Sequence, residues 1–167
     1  MKIRLLVLGL WLLAFTSQAS GQNLQIRDVF KQMPDSLMPY LTQNNRLDFL
    51  DFLDSNMKAE VRNRFGGTSE MTGLSSDSLS IRMSSSLRSD LFLMPLASPL
   101  DSVTSTVVMI ETFLADSIHG QSRVSYFTPE WKPLSSAPPL SDIQQKRIQT
   151  CVLQNIVKKD EEIVNKY

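Results

Sequence analysis

The sequence predicts an α+β fold: N-terminal helices packed on an antiparallel β-meander, with a C-terminal helix. Three observations predict it. Apolar residues recur at helical spacing between residues 26 and 64, at every second position in short runs between 68 and 134, and at helical spacing again after 141. Short strands separated only by turns must pair antiparallel, because parallel neighbours need crossover helices between them. A cystatin-like or other helix-on-curved-sheet shape is the alternative that fits the same pattern.

The chain opens with Lys2 and Arg4, runs apolar from Leu5 to Phe15 and turns polar at Thr16 and Ser17, the layout of an export signal over residues 1–19. As a helix this stretch rises only ~16 Å, short of the ~30 Å a spanning helix must cross. No membrane anchor is therefore expected once it is cut away. Ser17 and Ala19 suit cleavage before Ser20, and Ala19 with Gly21 suits a second register before Gln22. Residues 20–134 then form the α+β domain, 135–140 a linker and 141–167 the last helix. The expected setting is the periplasm, the outer membrane or the exterior of a bacterial cell.

Removing Lys2 and Arg4 from a balance of 17 cations and 17 anions leaves 15 against 17. Such a chain has no net attraction for nucleic acid or anionic lipid. Cys151 is the only cysteine, so no intrachain disulfide can form.

Along the domain, Val29, Phe30 and Met33 share one side of a short helix, and Pro34 with Asp35 suits the start of another that Pro39 limits. A longer helix is expected from an Asn45 cap to Arg64, with Leu47, Leu50, Leu53 and Met57 as its stripe, flanked by Phe49 and Phe52. Gly66-Gly67 is expected to stop it. Leu79, Ile81 and Met83 then alternate with polar residues as a strand, and Ser84-Ser85-Ser86 turns into a second strand from Arg88 to Met94 that Pro95 and Pro99 would end. Thr104–Ala115, dense in β-branched and aromatic residues, reads as the central strand, and Ser122–Thr128 as the next. Four or five strands result. Residues 135–140, Ser-Ser-Ala-Pro-Pro-Leu, have linker composition. Ser141 with Gln144 makes a capping box for a helix striped by Ile148, Val152 and Ile156, which either docks on the sheet or binds a partner.

No constellation of chemistry stands out. Cys151 with His119 is the one pair from which a thiol nucleophile and base can be built, and Cys151 falls beside an apolar helical stripe where cysteine acts as a small hydrophobe. A small hydrolase using His119 with a serine or Cys151 is thus the alternative to a non-enzymatic binding role, but the chain lacks a Gly-x-Ser-x-Gly elbow. Asp48, Asp51 and Asp54 recur every third residue without the spacing of a calcium loop, which fits a solvated helix face. No metal or cofactor site is expected. Tyr126, Phe127 and Trp131 form an aromatic set that suits either a stacking platform for a ligand or the end of the core. The partner of a binding role would be a protein, peptide or glycan of the envelope.

The runs Ile26-Arg27-Asp28-Val29-Phe30, Met33-Pro34-Asp35-Ser36-Leu37, Pro39-Tyr40-Leu41, Asn45-Arg46-Leu47-Asp48 and Ser122-Arg123-Val124-Ser125-Tyr126-Phe127, with Trp131, carry a resemblance. Over residues 26–134 the chain resembles an uncharacterised secreted family of Bacteroidetes-type bacteria, a domain of unknown function. The resemblance implies an envelope or secreted setting and no activity, cofactor or site residue. It also implies a modification, since bacteria of that group O-glycosylate exported proteins at Asp-Ser or Asp-Thr followed by a small or aliphatic residue. Ser36, Ser78, Ser102 and Ser117 each stand in such a triplet.

Overall fold

The computed structural model describes residues 24–116 and 120–164, so residues 1–19, expected as an export signal, and Ser117 and His119 lie outside the described residues. Two helices come first: α1, Ile26–Lys31, and α2, Gln43–Asp54, with a single 3-10 turn, Asp35–Leu37, between them. Six strands follow as one antiparallel sheet in chain order: β1 Glu60–Arg62, β2 Thr68–Leu74, β3 Ser78–Arg82, β4 Leu87–Leu100, β5 Val103–Leu114 and β6 Gly120–Phe127. Helix α3, Asp142–Val164, ends the described chain.

The fold class matches the sequence pattern, and three boundaries differ from it. Helix α2 is capped by Thr42, not Asn45: the Asn45 amide donates to Thr42 Oγ1 at 3.1 Å while the Thr42 amide donates to Asn45 Oδ1 at 3.0 Å. The helix also stops ten residues short of Arg64. Asn56 takes the left-handed conformation (φ 54°), and the bonds Met57 N to Phe52 O and Asn56 N to Leu53 O close a Schellman cap. Asparagine tolerates that conformation because its short side chain costs little there. The freed residues become β1, and Gly66-Gly67 serves as the β1–β2 turn, with Gly66 at φ 81°.

The third boundary is the end of β4, which passes through Pro95 and Pro99 to Leu100. Pairing with β3 ends at Ser78↔Phe92, so beyond it β4 is an edge on that side, where a missing proline N–H breaks no ladder. The proline-rich stretch 135–140 runs past this edge, where Ala97 donates to the Pro139 carbonyl at 2.9 Å.

Each face of the sheet carries its own core. On one, α1 and α2 cover Met71, Leu79, Ile81, Leu91, Leu93, Val107 and Met109 with Ile26, Phe30, Phe49 and Leu50. On the other, Leu140 and Ile148 meet Phe92, Met94, Val108 and Ile110. The C-terminal helix therefore docks on the sheet, opposite α1 and α2. Ser141 and Gln144 form the expected capping box, and the Gln144 amide donates to the Pro95 carbonyl at 2.7 Å. Gly120 permits close approach at the far end, since a Cβ there would meet Leu114 Cδ2 at 2.9 Å and Ile156 Cγ1 at 3.4 Å.

Two buried polar side chains tie the first layer together. Arg46, 1% exposed, leaves α2 to donate to the Met33 carbonyl and pairs with Asp35 at 2.9 Å, which fixes the turn between the helices. Asn63 staples the β1–β2 hairpin: its Oδ1 accepts from the Phe65 and Gly67 amides, and its Nδ2 donates to Ser69 Oγ and the Met83 carbonyl. Asn63→Ala leaves buried partners unsatisfied and is expected to cost about 2 kcal/mol, measured as a lower urea midpoint with an unchanged slope.

Candidate functional site

A groove of about 540 Å³ opens where the sheet emerges from under α3. Its floor is Ser80 from β3 and Arg88, Asp90 and Phe92 from β4, three alternate residues that strand geometry sends to one face. Its wall is α3, with Ile143, Lys146, Arg147 and Thr150 toward the opening and Cys151 and Asn155 toward the sheet. This size and this mixture of apolar walls with a few convergent polar groups are typical of small-ligand sites.

A buried polar network forms the deep end. Asp90, 4% exposed, accepts from the Ser80 hydroxyl and, at 2.7 Å, from the Asn155 amide. The same Asn155 nitrogen lies 3.3 Å from Thr112 Oγ1, which is 2.9 Å from Ser122 Oγ. Four strands and α3 are thereby joined through side chains. At the mouth, Arg147 grips Asp77 through two bonds of 2.6 and 3.2 Å and lies over the Phe92 ring, 4.7 Å from its centroid. The guanidinium holds the Asp77 carboxyl at about 2, below the usual carboxylate range. This contribution to stability is present above the ordinary value of 3.8 and is lost as pH falls toward 2.

Arg88 is less well served. Its Nη1 lies 3.4 Å from Asn155 Oδ1 and its Nη2 3.5 Å from Thr72 Oγ1, both at the long limit, and its Nε is shielded from water without an acceptor.

Cys151 lines the groove as a free, half-buried thiol, 3.7 Å from the Asn155 amide nitrogen. Burial, followed by the neighbouring Asp90 carboxylate, pushes it up to about 12. A thiol so placed stays protonated at neutral pH and is a poor nucleophile. Whether His119 approaches it falls outside the described residues.

The remaining sequence-derived candidates scatter. Tyr126 and Phe127 are adjacent on β6 and so face opposite sides: Tyr126 joins the α3-side core, while Phe127 and Trp131, 7% and 5% exposed, pack in the other. The Phe127 and Trp131 rings meet at 5.6 Å, and Trp131 Nε1 donates to the Val29 carbonyl at 2.8 Å, so both rings close the core under α1. Asp48, Asp51 and Asp54 are exposed, with Asp54 paired to Arg27 at 2.7 Å, and no cluster among the described residues could hold a metal ion. Ser36 and Ser102 are exposed, whereas the Ser78 hydroxyl bonds Ser75 and Arg147.

A second hollow of about 460 Å³ lies on the opposite face beside Leu87, Glu111, Phe113 and Arg123. There Arg123 is neutralised by Glu111, so the groove at α3 keeps the unmatched polar groups. Sequence reading missed Arg88, Asp90 and Asn155 as a set, because they come together only when α3 docks.

In the native protein Cys151 should react with iodoacetamide at pH 8 at least tenfold more slowly than in urea, as its suppressed thiolate requires. Its raised value also means that the stability it contributes is present below about 9 and lost as pH rises toward 12, visible as a falling melting temperature absent from Cys151→Ala.

Comparisons with known proteins give a family and a similar solved fold. The chain belongs to the family described as "Protein of unknown function (DUF3256)", matched over residues 18–166, which extends beyond 26–134 to include α3. A solved structure, a domain of an uncharacterized protein from Porphyromonas gingivalis W83, is similar with a TM-score of 0.54 and 24% identity. The likeness covers 66% of this chain and 53% of that one, so this chain spans about half the length of that relative. At that identity the likeness shows the fold alone. No curated protein matches the sequence.

Proposed function

We propose that this member of a family of unknown function is an exported, non-enzymatic binding protein whose ligand, a protein, peptide or glycan of the envelope, occupies the groove between α3 and the β3–β4 floor. The observation that carries this reading is the groove's lining: ligand-sized, polar at its deep end, and supplied with a thiol that burial keeps protonated.

Export rests on the cationic start and short apolar run of residues 2–15, and the family match beginning at residue 18 supports it by leaving that run outside the matched region. Among the described residues no helix is long and apolar enough to cross a membrane. Intact-mass analysis of protein isolated from cells should give a chain beginning at Ser20 or Gln22. A retained leader, or protein found in the cytosol, contradicts export.

The exposure of Ser36 and Ser102 supports the proposal that at least one Asp-Ser triplet is O-glycosylated. The same spectrum tests it, since a mass equal to the bare mature chain rules modification out.

The groove itself is tested by filling it. Thr150 is exposed on the α3 wall, so Thr150→Trp should change stability by no more than about 0.5 kcal/mol while abolishing the thermal shift given by envelope glycan or peptide fractions. An unchanged shift places the ligand elsewhere.

A further inference from the structure

The groove holds more positive charge than its own residues neutralise. Arg82 and Arg88 stand directly opposite each other on β3 and β4, and like charges in register on adjacent strands repel. Glu70 pairs with Arg82, which relieves one of them. Among the described residues Arg88 has no carboxylate partner, only the two long contacts to Asn155 and Thr72 and a shielded Nε without an acceptor. The carboxylate nearest in sequence, Asp90, gives both oxygens to neutral donors, Ser80 and Asn155, so it makes no ion pair with Arg88 and offsets its charge only through space. Arg147 is closed off by Asp77. Lys146, exposed on the wall, makes no ion pair among the described residues, so with Arg147 neutralised two cations, Arg88 and Lys146, face the single carboxylate of Asp90 and the groove keeps a net positive charge. A guanidinium left this way is a fork for a planar or tetrahedral oxyanion.

The other polar groups indicate what carries that oxyanion. Thr150 and Gln154 offer a hydroxyl and an amide, which match sugar hydroxyls as both donors and acceptors. A peptide main chain would seek a strand edge to join, and none is available on the floor, since β3 is paired on both sides at Ser80 and β4 is paired to β3 and β5 at Arg88, Asp90 and Phe92.

We infer that the groove binds an acidic saccharide, with its carboxylate or sulfate on Arg88 and Lys146 and its hydroxyls on Thr150 and Gln154. The inference rests on the groove being the binding site proposed above.

Titration of the full mature chain by NMR separates the two. The probes are digalacturonic acid, a chondroitin sulfate disaccharide, neutral cellobiose and a tripeptide with a free carboxylate, and the reporters are the Asn155 side-chain amide and the Thr150 backbone amide. Saturable shifts with one or both acidic disaccharides are expected, at least tenfold tighter than with cellobiose, and the comparison of the two names the oxyanion. Arg88→Met, which keeps an apolar stem, should erase that preference by weakening the acidic sugar about tenfold, the loss expected for charge-assisted hydrogen bonds. Lys146→Gln, on the exposed wall and without structural contacts at stake, should weaken it by a smaller factor and flatten its salt dependence. Equal binding of cellobiose, indifference to both substitutions, or binding of the tripeptide in place of sugars overturns the acidic saccharide while leaving the groove as the site. Silence of both reporters with every probe overturns the groove reading as well.

Discussion

Strands β4 and β5 are apolar on both faces, and the rest of the architecture answers to that constraint. Leu91 and Leu93 alternate with Phe92 and Met94, and Val107 and Met109 with Val108 and Ile110, all of them buried. A strand pair of this kind cannot leave either side in water, unlike an ordinary meander with one wet face. Helices α1 and α2 can cover only one side. Leaving Phe92, Met94, Val108 and Ile110 bare would forfeit roughly 6–12 kcal/mol, as much as the net stability of a typical domain. Helix α3 is therefore a structural layer, and its docking is the condition for the fold.

The groove is a consequence of where that requirement ends. Across the α3-side face the residues change from Val108, Ile110 and Val124 under the helix to Ser80, Arg82 and Glu70 on β3 and β2, which are polar and need no cover. The helix axis follows the apolar part, and the border between covered and uncovered sheet becomes a hollow. Asp90 and Asn155 sit at this border and bond each other, so that sliding or rotating α3 would strand a buried carboxylate. Buried polar pairs of this type fix register at some expense of stability. In this protein the same pair also sets the depth of the groove.

Much of the fold was legible because it is written in periods. The alternation of Leu79, Ile81 and Met83, the β-branched run from Thr104 and the stripe Ile148, Val152 and Ile156 all reappear as β3, β5 and α3. What was not legible depended on single residues whose role is set by geometry. Asn56 ends α2 in a conformation that the apolar stripe running on to Met57 conceals, and β1 is three residues long, too short for any period to show. Pro95 and Pro99 stop a strand only where a partner needs their N–H, and on β4 the partner has already ended. The aromatic set misled for a simpler reason: Tyr126 and Phe127 are neighbours in sequence, which in a strand places them on opposite faces. A faint signal of the groove was present, since Asn155 interrupts the apolar stripe of α3 four residues after Cys151, and Asp90 shares the face of Phe92 and Met94. A polar residue on each of two apolar faces is what a buried pair looks like before the faces are known to meet.

The most direct test is urea unfolding of a chain running from Ser20 to Leu140, followed by dye binding to exposed apolar surface. Loss of the cooperative transition, with dye bound in the absence of urea, is the result expected if the second face must be covered. A cooperative transition at the midpoint of the intact chain would show that the sheet stands without α3, and neither the three-layer account nor the groove built on it would survive.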